Sequence, residues 1–183
     1  MTNGSGDFEL TMDELRVVAR YALESAEGVL HVFEEAVPGD PRPRAAVDAA
    51  GEFARGARRS NLQRTTSLDA HRAAKEATTE AARLAARAAG DAAAAAYLHP
   101  IARATQVGHI LRAAASAARI GELNADEDPA VGLRLIEEAR GRATPVLIDV
   151  LNRYPTAPTG KSRTAQLMTL LDASLRTPRP TGG

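Results

Sequence analysis

Three histidines in the middle of the chain are the residues best suited to proton transfer near neutral pH. They are His71, His99 and His109, and an imidazole titrates close enough to neutrality to act as a general base. If the three rings converge in one pocket, the protein could be a small-molecule-binding or hydrolytic helical enzyme. His99 and His109 are ten residues apart, so a single helix would place them on different faces. The enzyme interpretation is therefore kept as the alternative to a polar binding surface, which is described next.

Polar residues also recur at helical spacing in two stretches. Arg64, Ser67, His71 and Lys75 fall at i, i+3, i+7 and i+11, and a second group, around His109, has the same character. Each stripe is either a solvated helix face or part of a polar binding cleft. The residues that we predict to form a binding surface are Arg64, His71, Lys75, His99, Gln106, His109 and Arg112.

A ladder of alternating charge lies between the two stripes. Glu80, Arg83, Arg87 and Asp91 follow one another at helical spacing. Such a ladder is typical of an exposed helix face with weak ion pairs between successive turns. The alternative is a cluster of arginines that faces an acidic partner.

No catalytic or metal-binding motif is complete. Gly160-Lys161-Ser162 resembles the end of a P-loop, but Pro155 occupies the first glycine position and no strand precedes it. The motif is therefore interpreted as a helix start. The chain has no cysteine, which excludes disulfides and thiolate ligands. It also has no His-Glu-x-x-His pair and no Gly-x-Ser-x-Gly elbow. We predict no catalytic residues, no metal and no cofactor.

The charge balance limits the classes of partner. Lys plus Arg and Asp plus Glu both number 23, so the formal net charge is zero, whereas nucleic-acid-binding proteins usually carry a basic excess. Charges at Arg83, Arg87 and Asp91 interrupt the alanine-rich stretch 81–96 and make bilayer insertion unfavourable. The first residues lack a secretory signal. We therefore expect a cytoplasmic protein that binds neither nucleic acid nor membrane.

The elements that would position these residues are helices. Alanine dominates an apolar fraction of 44%, aromatic residues make up only 3%, and alanine is the strongest helix former. We predict an all-α, single-domain bundle of about six or seven helices with alanine-rich contacts between the fourth and fifth. The predicted helices span roughly residues 12–36, 41–56, 60–77, 78–98, 100–123, 129–153 and 161–175. The domain would cover residues 11–176, between a flexible segment 1–10 and a disordered tail 177–183.

Several segments of the chain carry a family resemblance. The most distinctive are residues 70–75 (AHRAAK), 86–90 (ARAAG), 97–100 (YLHP) and 106–111 (QVGHIL). Together with the opening helix and the turn at residues 39–44, they resemble the immunity-protein-five-like family of bacterial polymorphic toxin systems, in its actinobacterial type. The high arginine and alanine content agrees with a GC-rich genome.

The resemblance covers about residues 10–175 and implies a non-enzymatic role. A member of this family would be an antidote that binds and neutralises a cognate toxin in the same cytoplasm. A neutral helical domain can do so by presenting a rigid polar cleft that carries one or two anchor residues. Association between copies of the chain is left open.

Overall fold

A computed structural model of the protein describes residues 7–178, and all regular structure in that range is helical. This confirms the all-α prediction, although eight α-helices are present between these limits where six or seven were predicted. The helices are α1 (Met12–Ala36), α2 (Arg42–Ala54), α3 (Asn61–Glu76), α4 (Glu80–Ala94), α5 (Val107–Asn124), α6 (Pro129–Arg142), α7 (Pro145–Asn152) and α8 (Arg163–Arg176).

Prolines account for the two departures from the predicted boundaries. The predicted helix 129–153 is divided because Pro145 begins a new helix, α7, with Thr144 as its N-cap. The predicted fifth helix begins at Val107 instead of Pro100. Helical geometry is disfavoured at a residue that precedes a proline, as His99 does. The backbone N–H of His99 donates to Gln106 Oε1 at 3.0 Å and not to a carbonyl group of a helix.

Local capping explains where the helices that surround the site begin. Thr11 and Ser60 cap α1 and α3, each within a reciprocal capping box. Ser162 caps α8, since its Oγ accepts a hydrogen bond from the Ala165 backbone N–H at 3.1 Å. The interpretation of Gly160-Lys161-Ser162 as a helix start is therefore confirmed.

Helix α4 lies at the centre of the packing. It contacts α1, α2, α3 and α5, and its side chains are mostly alanines with almost no exposed surface. Four alanines of α5 are also buried, so the predicted alanine-rich contact between these helices is confirmed. Because small side chains let helix axes approach closely, groups on α3, α4 and α5 can reach one another directly.

A buried carboxylate fixes the start of α8 against α5. Glu122 is only 1% exposed, and it accepts hydrogen bonds from Arg163 at 2.6 Å and from Arg119 at 3.2 Å. Burial raises the pKa of Glu122, but the hydrogen bonds from Arg163 and Arg119 outweigh burial and hold that pKa below its usual value. The loop before α8 is thereby held close to α5.

The N-terminal residues that the structure describes contact the rest of the chain. The ring of Phe8 packs edge-on against Tyr154 with 4.9 Å between centroids, and Asp7 accepts a hydrogen bond from the Ala102 backbone. The predictions for residues 1–6 and 179–183 lie outside the described range. Within the described range, no helix has the length and apolar character needed to cross a membrane.

Candidate binding cleft

Asp91 of α4 is the centre of a charged cluster that joins three helices. Its side chain is 0% exposed, and both of its oxygens accept hydrogen bonds from Arg112 of α5, at 2.8 and 2.7 Å. His71 of α3 places its Nε2 3.7 Å from Asp91 Oδ1. The bidentate arginine compensates the loss of hydration that the buried carboxylate suffers.

The prediction that Asp91 belongs to an exposed ladder is therefore wrong. The two arginines of that ladder, Arg83 and Arg87, are exposed as predicted. Helix α4 is surrounded by other helices, and its alanines do not distinguish a buried face from a solvated one. A charged residue on such a helix is buried when another helix supplies its counter-ion, as α5 supplies Arg112.

A glycine allows the imidazole of His71 to approach this cluster. A Cβ atom at Gly90 would lie 2.8 Å from His71 Nε2, so any larger residue would displace the ring. One turn earlier on α3, the buried hydroxyl of Ser67 donates to the Gly90 carbonyl at 2.8 Å. These two contacts fix α3 against α4 beside Asp91.

Burial lowers the pKa of both histidines in the cluster. For His71, desolvation and the charges of Arg112, Arg87 and Lys75 outweigh the opposing effect of Asp91. For His109, desolvation again dominates, and its Nδ1 is buried without a hydrogen-bond partner among the described residues. Both rings are therefore held in the neutral form.

These shifts predict a loss of stability on mild acidification. Each imidazole has a lower pKa folded than unfolded, so the unfolded chain binds more protons below about pH 6.5. Stability is complete above that pH and declines as the pH falls through it. We expect the melting temperature to drop between about pH 7 and about pH 5, above the range in which the carboxylates with lowered pKa titrate.

Glutamine substitutions can isolate the contribution of His71 and His109 to this pH dependence. His71→Gln with His109→Gln should flatten the decline in melting temperature, whereas His31→Gln, which removes an exposed imidazole, should not. If the melting temperature depends on pH equally in the wild type, the double variant and His31→Gln, the assignment of the decline to His71 and His109 is contradicted.

A cavity of about 720 Å³ opens beside the Asp91 cluster. We call it the cationic cleft, and it lies between α3, α4, α5 and the start of α8. Its lining residues are His71, Ala74, Lys75, Glu80, Arg83, Leu84, Arg87, Arg112, Ser162 and Thr164. A second cavity, of about 210 Å³, shares Arg87, Arg112, Ser162 and Thr164 with it and extends along the loop before α8.

The cleft carries excess positive charge although the chain as a whole is neutral. Lys75 and Arg87 form no ion pair within the described residues, and Arg83 binds the carbonyl groups of residues 77 and 78. The single lining carboxylate, Glu80, is paired with Arg119 at 3.1 Å. An anionic group that enters the cleft would therefore meet cations with no competing partner.

The structure brings together only part of the predicted binding surface. His71, Lys75 and Arg112 line the cationic cleft. Arg64 lies elsewhere, since it stacks 4.3 Å from the centroid of the Tyr97 ring, and Gln106 binds the backbone of His99. His109 is half-buried near Asp91 and Arg112 and is not among the residues that line the cleft.

Seven lining residues were not in the predicted surface, and four of them carry polar groups that can donate hydrogen bonds: Arg83, Arg87, Ser162 and Thr164. The first two were recognised only as members of the charge ladder. The positions of Arg83 and Arg87 relative to Lys75 could have indicated a shared site, because an antiparallel pair of helices would place the two arginines opposite Lys75. The two hydroxyl residues are more than 70 positions further along the chain, and nothing in the sequence relates them to α3 or α4.

The three histidines do not share the pocket that the enzyme alternative requires. Only His71 lines the cationic cleft, while His99 is exposed in the loop before α5. Within residues 7–178, no group of three or more His, Asp or Glu side chains is arranged to hold a metal ion.

Comparison with known families supplies the classification. Residues 9–118 match the family model described as "Imm-5 like putative immunity protein", a stretch that contains α1 to α4, the Asp91 cluster and most of α5. No curated protein and no solved structure matches the chain. The family is not a family of enzymes, and membership in it implies a toxin as partner. Since the match covers more than half of the chain, this protein belongs to the Imm-5 like family that the model describes.

Proposed function

We propose that this protein is an antidote that binds a cognate toxin in the cytoplasm and blocks its activity. The observation that carries the proposal is the cationic cleft, in which Lys75 and Arg87 project without an acidic partner among the described residues. Family membership supplies the toxin as partner class. The arginine-rich, alanine-rich composition further favours an actinobacterial source.

Two of the arginines that line the cleft are held in place before any partner arrives. Arg112 is fixed by two hydrogen bonds to Asp91, and Arg83 is fixed by two backbone carbonyl groups. Groups that are already ordered lose little conformational entropy on binding, which favours tight association. This arrangement suits an inhibitor that must bind firmly to protect its own cell.

Co-expression tests the proposal directly. Each toxin-like open reading frame that neighbours the gene would be induced in a bacterial host, with and without this protein. We expect one of them to arrest growth, the protein to restore growth, and the two chains to purify as a complex. If none of the neighbours is toxic, or if growth is restored without a complex, the proposal is wrong.

A further inference from the structure

We propose that the cationic cleft receives an acidic segment of the partner protein, a short stretch of chain that carries at least two carboxylates. The identification of the partner protein as a toxin rests on the proposed function. The chemistry of the segment is inferred from the cleft alone.

The charges in the cleft are arranged for two anionic groups. Arg87 lies where the larger and smaller cavities meet, and Lys75 lies in the last turn of α3. Both side chains are exposed, and neither has an ion-pair partner within the described residues. Arginine binds a carboxylate through two parallel hydrogen bonds, whereas lysine offers a compact charge that tolerates several orientations.

Hydroxyl groups on the opposite wall complete the set of donors. Ser162 Oγ accepts the capping hydrogen bond from Ala165, so its own proton is free to be donated to a ligand. Thr164 lies beside it in the first turn of α8, and the amino end of a helix attracts negative charge. A carboxylate between Arg87 and this wall would be contacted from both sides.

The shape of the cleft favours a chain segment over a small ion. The two cavities share four lining residues and measure about 720 and 210 Å³, which together exceed what one carboxylate or phosphate fills. Part of the surface is apolar, with Ala74 and Leu84 in the larger cavity and Met168 in the smaller one. An acidic peptide with intervening small apolar side chains matches this mixture.

A nucleic acid fits the same cleft less well. Proteins that bind single strands stack successive bases on several aromatic rings along a basic groove. Among the described lining residues of the two cavities, the only aromatic ring is the imidazole of His71, which packs against Gly90. The chain also lacks the net positive charge that a polyphosphate ligand demands, because its acidic and basic residues balance.

An unpaired arginine outside the cleft provides the control. Arg58 lies in the loop between α2 and α3, is exposed, and has no ion pair within residues 7–178. It lines neither cavity. Replacing it by glutamate changes the net charge as much as the same change at Arg87, so the pair separates a local contact from a general electrostatic effect.

The experiment is a titration of the ¹⁵N-labelled full chain with an octapeptide of alternating glutamate and alanine, followed by amide chemical shifts. We expect shifts in the α3–α4 segment around Lys75 and Arg87 and in the first turn of α8. Affinity should fall at least about tenfold in Arg87→Glu, stay within about twofold in Arg58→Glu, and weaken as salt rises from about 50 to about 200 mM.

The outcomes separate this inference from the proposed function. If the peptide produces no shifts in the cleft, or if an eight-nucleotide single-stranded DNA binds there more tightly, the acidic-segment proposal is overturned. The proposed function would survive either result provided that the protein still rescues growth. Conversely, peptide binding in the cleft without any toxin complex would leave the cleft chemistry intact and overturn the toxin-antidote function.

Discussion

Replacing Arg112 by methionine should lower the free energy of unfolding by about 3 kcal/mol. The change leaves the carboxylate of Asp91 buried, 0% exposed, without its bidentate partner and with the neutral rings of His71 and His109 nearby. Breaking a buried pair by removing one partner costs about 3–5 kcal/mol. We expect the lower end because the Arg112 side chain is itself 30% exposed, so water can partly reach the space it vacates.

Urea unfolding with a second substitution identifies the cause of that loss. Adding Asp91→Asn to Arg112→Met should recover about half of it, because a neutral amide is far less costly to bury than an unpaired charge. Arg134→Met is the control, since Arg134 is exposed and pairs only with Glu138 one turn away. That change should cost less than about 0.5 kcal/mol. A similar cost for both arginines would contradict the central role assigned to Asp91.

Gly132→Ala should destabilise the protein by about 2 kcal/mol, although alanine is the better helix former. A Cβ atom at Gly132 would lie 2.0 Å from Glu122 Oε1 and 2.6 Å from its Cδ. That carboxylate cannot move aside freely, because Arg163 and Arg119 hold it. Inserting a methyl group into such a site costs about 1–3 kcal/mol and more where a charged network must shift.

The same helix contains the matched control for this substitution. Gly141 also lies in α6, and beyond the backbone of its own helix no heavy atom lies within 4 Å of the position that a Cβ atom would take. Gly141→Ala should therefore stabilise the protein by about 0.5 kcal/mol through helix propensity alone. Chemical unfolding of the two variants should give shifts of opposite sign. If both alanines stabilise the protein, the close packing of α6 on Glu122 is incorrect.

The helices were largely predictable because their determinants are local. Thr11 and Ser60 are followed three residues later by a side chain that completes a capping box, and alanine content favours helix throughout. The boundary errors arose at Pro100 and Pro145, where a proline is compatible with a kink as well as with a new helix. Side-chain contacts outside the helical hydrogen-bond pattern, such as that of Gln106 with the His99 backbone, decide between them.

The site was less predictable because it depends on pairs that are distant in sequence. His71, Lys75 and Arg112 were recognised from helical spacing, but spacing cannot show that Asp91 is buried or that Arg112 is its partner. The contact of Arg163 with Glu122 joins residues 41 positions apart. It is this contact that brings Ser162 and Thr164 to the cleft. Long-range ion pairs leave no periodic signal in one sequence.

Amide hydrogen exchange of the toxin complex is the measurement that tests the central claim most directly. Residues 155–162 form an irregular loop at the wall of the cationic cleft. Pro155 and Pro158 have no amide N–H, and that of Ala157 donates to the buried Asp172, but the other amides of the loop exchange quickly in the free protein. The account predicts slower exchange in this loop when the toxin is bound, with little change in residues 55–59, which line neither cavity. Protection confined to residues 55–59, or none in residues 155–162 of a stable complex, would show that the toxin binds elsewhere.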